Sequence, residues 1–546
     1  MRKILGASIG HCVHVAGVFN FLRIAEQEGY ATVNLGGAVS INELVGAIME
    51  EDPDEIAIGY RLGNEPLGHI LHELAGKLEE NGLLNKTYIF GGTKETVQEA
   101  IKHKFILRVF DGSETRETIR LYLQKSYTNA GSDVIPPQNL VDRIRFKSPY
   151  PLIRHHIGLD NLEDTAKSIG ILAESGLLDI ISIAPDQNTQ QFYFKQDKID
   201  PRQNGAGGVP IRCRQDFLKL YEASRRGNYP LMRCYSGTEN LLDFSKVLKD
   251  SINNAWAAVP MTWYSELDGR SERSLLDAIR ENQEAIRWNA QNGVPVEINE
   301  SHQWSLRYGH DALEVAIAYL AGYNAKKLGV KNYVMQFMLS TPPDISPQMD
   351  IAKALAKIEL HQALEDESFN IIRMIRPGLL SYPSDAEMAK GQLASTVFYG
   401  ACLNPHIVHV VAFCEALHRA THREIIESIK IATQVLKVAY QGIPDFIDVK
   451  VRDRKEQLKT EAMQIIEAVK NLGSGYEDPL LEPTVIYNAI KVGILDAPCL
   501  AGFPVAKGKV RTSTLNGAQV IIDNNGVQLN ERQRLSDVFS CKGGAR

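Results

Sequence analysis

Apolar and polar positions alternate over the first hundred or so residues in a strand-then-helix rhythm. An apolar run at 3–9 reads as a strand, and an amphipathic helix is predicted over 17–28. A second strand at 31–35 leads to a helix over 40–50, where Ser40 stands as N-cap and Glu43 completes a capping box. Further strands are predicted at 55–60, 87–90 and 105–110. Pro66 opens the helix after the first of these, and Thr93 caps a short one reaching about His103. This repetition predicts a parallel sheet covered on both faces, with ligands expected at the carboxyl ends of its strands. It sets a first domain at 1–108.

Residues 109–149 read as a connector: a polar helix over 111–124, then a Gly- and Pro-containing linker over 127–138, then the basic run Arg143, Arg145 and Lys147, taken as a solvated face. From 150 to 445 short apolar runs recur between amphipathic helices, at 151–154, 179–184, 230–235, 255–261, 295–299, 332–338, 370–375 and 406–411. Eight such units predict a closed (β/α)8 barrel, a TIM barrel, rather than a doubly wound sheet, which rarely reaches that number. Residues 446–546 read as helices over 450–471 and 483–493, then a small β-rich appendage with strands at 509–512 and 518–523 and a tight turn at Asn525-Gly526. The fold class is α/β throughout, with an α+β tail.

Composition narrows this little. Apolar content of 44% and charge of 23% over 546 residues suit a multidomain globular chain. A net charge of -6 gives no general pull toward nucleic acid or anionic membrane, and no apolar stretch is long enough to span a bilayer. Met1-Arg2-Lys3 before an apolar strand imitates a signal peptide, but His11 and His14 interrupt it and no small-residue cleavage site follows, so a cytoplasmic chain is expected. The 7 cysteines form no CxxC pair, which disfavours a structural zinc or iron–sulfur site.

Candidate chemistry gathers at the predicted carboxyl ends. In the first domain these are the loop 10–17 with His11, Cys12 and His14, then Asn34-Leu35-Gly36-Gly37, Tyr60-Arg61-Leu62-Gly63 and Gly91-Gly92-Thr93. Their glycines let backbone approach a flat ligand closely, and no GxGxxG follows the first strand. On the barrel side, Arg154-His155-His156, Arg233-Cys234-Tyr235 and the stretch 297–304 with His302 are expected at one mouth. Arginines there can clamp carboxylates through paired, charge-assisted hydrogen bonds, or can pair with rim acids such as Asp160 and Glu222. Arg212 and Arg214 can do the same or close a helix start.

Cys12-Val13-His14-Val15-Ala16-Gly17 resembles the Asp-x-His-x-x-Gly loop of the cobalamin-binding domains of glutamate mutase (methylaspartate mutase) and methylmalonyl-CoA mutase. Val33-Asn34-Leu35-Gly36 and Gly91-Gly92 are similar to the family's next loops. The resemblance implies a Rossmann-like (flavodoxin-like) domain in which His14 is the lower ligand to cobalt. His11, Cys12, Val15, Gly17, Asn34, Gly36, Tyr60, Arg61, Gly91 and Gly92 would surround the displaced nucleotide tail. Cys12 stands where the family has Asp, a weaker partner for the imidazole's second nitrogen. Pro151-Leu152-Ile153-Arg154, Ser274-Leu275-Leu276-Asp277, Gly329-Val330-Lys331-Asn332 and Glu415-Ala416 resemble the catalytic epsilon subunit of glutamate mutase, so the chain looks like a fusion of two subunits.

The resemblance implies adenosylcobalamin as cofactor and a radical carbon-skeleton rearrangement of a small carboxylic acid. Arg154 and Arg233 would hold carboxylates, His302 and Tyr264 would sit beside the substrate, and Glu415 and His422 would hold the adenosyl ribose. The family's amine-binding glutamate falls at or near Ala255, and its two pocket tyrosines fall near Met261 and Ser265, so glutamate itself is not expected. A homodimer through the barrel and a reactivating chaperone are the partners implied. Two rivals are a corrinoid methyltransferase, which usually carries a helical module ahead of such a domain, and a non-catalytic corrinoid-binding protein.

Overall fold

The computed structural model describes residues 2–114, 118–120, 122–123 and 135–540. The chain forms two compact units, Met1–Val134 and Ile135–Arg546. Of the helix expected over 111–124, residues 118–120 and 122–123 are described and helical, while most of the linker over 127–138 lies outside the described residues.

In the first unit β1 (Lys3–Ile9), β2 (Ala31–Val39), β3 (Glu55–Tyr60), β4 (Thr87–Gly92) and β5 (Ile106–Phe110) form one parallel sheet in the order β2-β1-β3-β4-β5. The two-residue period of β1 divides its side chains. Leu5, Ala7 and Ile9 face the helices Ile41–Glu51 and Asn64–Glu80, while Ile4 faces the helix Ala16–Gln27. Gly6 and Gly59 lie under that last helix. A Cβ on Gly6 would come within 2.7 Å of Leu22 and Val18, and one on Gly59 within 2.5 Å of Val18. Their lack of a side chain sets how closely the helix, and the loop feeding it, approaches the sheet.

β2 is longer than its apolar pattern suggests. Asn34 to Gly37, expected as a loop, continues the strand to Val39. Asn34 Oδ1 accepts from Gly36 N at 3.0 Å, Gly36 takes φ +85°, and the register against β1 shifts there, so a local kink carries polar and glycine residues along a strand.

In the second unit the eight expected strands are all present. They are β6 (Leu152–Ile157), β7 (Ile180–Ile183), β8 (Leu231–Cys234), β9 (Ala257–Val259), β10 (Val296–Ile298), β11 (Asn332–Leu339), β12 (Asn370–Pro377) and β13 (Ile407–His409). They pair in parallel in the order β8-β7-β6-β13-β12-β11-β10-β9, and a parallel bridge from Tyr235 to Ala258 joins the two ends into a barrel. Alternate residues point inward in levels. The lowest is apolar, with Leu152, Ile180, Leu231, Val334, Ile372 and Ile407. Two residues further along these strands stand Arg154, Ser182, Arg233, Gln336, Met374 and His409. Their outward neighbours, including Ile153, Ile181 and Met232, join the core beneath the surrounding helices.

The basic run read as a solvated face is a helix, Leu140–Lys147, whose Leu140 packs into the barrel's lowest level. Arg143 is buried and donates to the carbonyls of Pro137 (2.8 Å) and Tyr229 (2.7 Å). The long helix Val449–Leu472 packs on the barrel helices Asp311–Lys327 and Pro347–Gln362. A buried ion cluster of Asp311, Glu314, Lys353, Lys357 and Arg454 lies between them. The tail forms an antiparallel sheet of β14 (Thr512–Leu515), β15 (Ala518–Ile522) and β16 (Gln528–Leu529), with β14 a few residues later than the pattern predicts. A last helix, Glu531–Ser540, was not expected. Its buried Glu531 accepts from Arg534 at 2.8 Å and lies 3.0 Å from His310.

Arg212 belongs to the scaffold. Its guanidinium meets both carboxylate oxygens of fully buried Asp186 (3.0 and 2.6 Å), and Asp186 also accepts from Thr189 N and Gly205 N. Arg214 begins the helix Arg214–Ala223. Asp186→Ala strands a guanidinium and opens the 204–212 loop, so urea unfolding of the full chain should show a loss of about 3 kcal/mol.

Candidate functional site

The loop after β1 is held from several sides. Ser8 Oγ donates to His14 O (3.0 Å), Gly10 N to Val39 O (2.9 Å), and Ala38 N to Cys12 O (2.8 Å). Gly10 takes φ +63°. A Cβ on Gly37 would stand 2.9 Å from Val15 and 3.1 Å from Val13, so that glycine admits the loop against β2. Cys12 is fully buried, and its Sγ lies 3.7 Å from His14 Nδ1. The imidazole itself is exposed, so its Nε2 is free to face a ligand.

Beside it lies a cavity of about 530 Å³, a size that holds a small molecule, lined by His14, Gly17, Tyr60, Arg61, Gly91 and Gly92 among others. It opens where the chain leaves β1 in one direction and β3 in the other, the switch point at which doubly wound sheets bind ligands. A Cβ on Gly17 or on Gly91 would meet nothing within 4 Å and would project into open space. The space is therefore set by missing side chains. His11, Val15, Asn34 and Gly36 do not line it, and Cys12 reaches it only through His14. Val18, Phe21, Ile89 and Phe110 form apolar walls that no loop motif in the sequence singles out.

Inside the barrel, Arg154 and Arg233 are 2% and 1% exposed. Both guanidiniums lie over the Trp256 ring, at 5.2 and 5.0 Å. Arg154 donates to Ser182 Oγ (2.7 Å), His156 Nε2 (2.7 Å) and His409 Nδ1 (3.3 Å). Arginine has no lone pair to offer, so both histidines accept from it as neutral rings. Burial first, then the Arg154 charge, holds His156 and His409 well below the ordinary histidine value. Tyr235 Oη lies 2.9 Å from His156 Nε2.

Arg233 is less provided for. Its Nη2 is 3.8 Å from Glu297 Oε2, which already accepts from Trp256 Nε1 at 2.8 Å. Arg233 Nε and Nη1 are buried with no hydrogen-bond partner, and so is Nε of Arg376. Arg376 was not singled out from sequence, although it closes an apolar run just as Arg154 and Arg233 do. It stands two residues beyond inward-facing Met374 on β12.

His302 is buried and its Nδ1 lies 3.1 Å from Gln336 Nε2, which makes it an acceptor there. Burial, then the Arg376 charge, brings its pKa down to about 3. It is a neutral Nε2–H donor at physiological pH. Tyr264 is buried in the loop after β9 at φ +62°, beneath Arg270 (5.0 Å), and burial pushes its hydroxyl up to about 12. Glu300 shapes that loop by accepting from Met261 N, Thr262 N and Trp304 Nε1. Glu415 follows β13 and lies 3.3 Å from His155 Nε2, and His422 opens a helix with Nδ1 3.3 Å from Ser168 Oγ. Among the described residues no three His, Cys, Asp or Glu side chains converge as a self-contained metal site, and no helix is long and apolar enough to cross a membrane.

These neutral histidines make the barrel acid-sensitive. His302 (about 3) and His361 (about 4) are depressed from 6.5, so their contribution is present above pH 6.5 and is lost as pH falls toward those values. At pH 5 the loss is about 2 kcal/mol each. Asp350, raised by burial to about 6, acts oppositely and recovers about 1 kcal/mol over the same interval. His406, brought down to about 4, and His156 and His409 act in the same sense, so urea titrations of the full chain should show a net loss of at least about 3 kcal/mol between pH 7 and pH 5.

Comparison with curated proteins gave no match. Among solved structures, a cobalamin-binding protein from Desulfitobacterium hafniense DCB-2 aligns with 22% of this chain and 58% of its own at 18% identity and TM-score 0.20. The cobalamin-dependent S-adenosylmethionine radical enzyme OxsB aligns with 88% of this chain and 63% of its own, at 10% identity and TM-score 0.19. NtrX from Brucella abortus aligns with 52% of this chain and 81% of its own, at 11% identity and TM-score 0.19. This chain thus spans little more than half of the first of these, and likenesses at such scores carry no argument. The family comparison is specific: residues 276–537, the second half of the barrel with its C-terminal helices and sheet, match the family of the methylaspartate mutase E chain (MutE).

Proposed function

We propose that this protein is an adenosylcobalamin-dependent mutase that rearranges the carbon skeleton of a small carboxylic acid other than glutamate. The observation that carries the reading is a chain that matches the mutase E chain over 276–537 and also presents the exposed imidazole of His14 at a glycine-lined cavity. The residues fit the group. The open positions at Gly17 and Gly91 leave room for a nucleotide-like tail, and the outward nitrogen of His14 is a suitable cobalt ligand. When bound, the cofactor supplies homolytic cobalt–carbon cleavage and hence hydrogen abstraction from an unactivated carbon.

The remaining roles belong to side chains. Cys12 Sγ, against His14 Nδ1, orients the imidazole. Tyr60 and Arg61 border the tail's cavity. Arg233 binds a substrate carboxylate through its unpartnered N–H groups, and Arg154 fixes the rings of His156 and His409 beside it. His302 donates a neutral hydrogen bond to a migrating or carbonyl group, and Tyr264 closes the pocket wall. Glu415 and His422 hold the adenosyl ribose. The same reading carries a homodimer through the barrel and a reactivating chaperone. The family's amine-binding carboxylate falls at or near Ala255, which supports a substrate other than glutamate.

Two measurements test this. The full chain mixed with adenosylcobalamin should retain it through gel filtration, and His14→Ala should weaken retention by at least about tenfold. Under anaerobic conditions one member of a panel of short mono- and dicarboxylic acids should rearrange. No retention by the unaltered chain, or no rearranged acid, overturns the reading.

A further inference from the structure

The barrel interior carries more positive charge than it neutralises. Arg154, Arg233 and Arg376 point into it. The carboxylate in direct contact with any of them is Glu297, 3.8 Å from Arg233 and already accepting from Trp256. Charged groups withdrawn from water are strongly disfavoured unless paired. The unpartnered N–H groups sit at two places only among the three: Nε and Nη1 of Arg233 on β8, and Nε of Arg376 on β12. In the strand order β8-β7-β6-β13-β12-β11-β10-β9, closed by Tyr235 and Ala258, these strands are four steps apart in either direction. The two residues therefore stand on opposite walls of the barrel.

Arg376 is within reach of the same group of rings. On β12 Ile372 and Met374 face inward, Met374 Sδ lying 3.3 Å from Arg154 Nη1, and Arg376, two residues further on, shares that parity. His156, Tyr235 and Arg376 are half-buried where the level below is closed, so the site opens at the carboxyl ends of the strands. Around these arginines stand the neutral rings of His156 and His409 and the further positive charge of Arg154. Glu297, the carboxylate at Arg233, is already engaged by Trp256, so an ammonium group entering there would add a charge of the sign already in excess.

We infer that the barrel binds a linear dicarboxylate lacking an amino group, one carboxylate on Arg233 and the other on Arg376, with Arg376 setting the preference for two carboxylates over one. This deepens the proposed function by naming its substrate class. It rests on the barrel as the substrate-holding domain and not on the corrinoid.

The test is binding to the full chain without added corrinoid, by calorimetry, using glutarate, glutamate, butyrate and inorganic phosphate as probes. Glutarate should bind at least about tenfold more tightly than each of the other three. Arg376→Gln should weaken glutarate by about 10- to 100-fold and leave butyrate unchanged, as expected when one charge-assisted pair is lost. Arg376→Lys should recover part of the glutarate affinity, which excludes misfolding as the cause. Arg233→Gln should weaken glutarate and butyrate alike. Glutamate or phosphate binding as tightly as glutarate overturns the inference, as does unchanged glutarate affinity in Arg376→Gln. Neither result touches corrinoid retention by His14, which is read separately.

Discussion

Two guanidiniums share one indole inside a closed barrel, and most of the second unit's chemistry is arranged around that fact. Arg154 and Arg233 lie over Trp256, whose π face is among the few apolar surfaces that welcome a cation. The remaining N–H groups of Arg154 go to neutral acceptors, so its charge is spread without being cancelled. That choice has consequences nearby. His156 and His409 must stay neutral to accept, and Glu297 must serve both Trp256 and Arg233. The unbalanced charge then gives the interior a preference for anions before any ligand is considered.

The first unit solves a different problem by different means. Its cavity is made by subtraction: Gly17 and Gly91 leave space where any other residue would fill it, while Gly6, Gly37 and Gly59 let the helix and loop settle close to the sheet. The loop's path is set by backbone hydrogen bonds to β2 and by Ser8, so His14 is presented at the surface although its neighbour Cys12 is fully buried. The barrel interior thus carries excess positive charge, while the first unit's cavity is shaped by glycines and apolar walls and bordered by charges of both signs, Arg61 and Lys94 with Asp111 and Glu114.

Much of this was legible in the chain. All eight barrel runs and all five strands of the first sheet follow from short apolar stretches between turn residues, because strand burial on both faces leaves a continuous apolar mark. The loop with His14 and the glycine pairs at 36–37 and 91–92 were equally visible. The helix Leu140–Lys147 was read as a polar face because Arg143 is charged, and only its carbonyl partners reveal that it is buried. The terminal helix carried a readable start, since Asn530 and Gln533 exchange hydrogen bonds as a capping pair, but its buried ion group hid its packing.

What the sequence determined by itself is the order and kind of elements and the residues that end each strand, since these follow from periodicity two and from local turn chemistry. What only the tertiary structure decided is which of those end residues act together. Arg212 and Arg376 look alike along the chain, yet one is consumed by Asp186 and the other keeps an unpartnered N–H inside the barrel. Asn34 and Gly36 look like loop residues, yet they lie on an edge strand outside the cavity. The reason is physical: the role of a charged or flexible residue depends on which distant partner closes against it, and closure of the sheets, not local sequence, sets that partner.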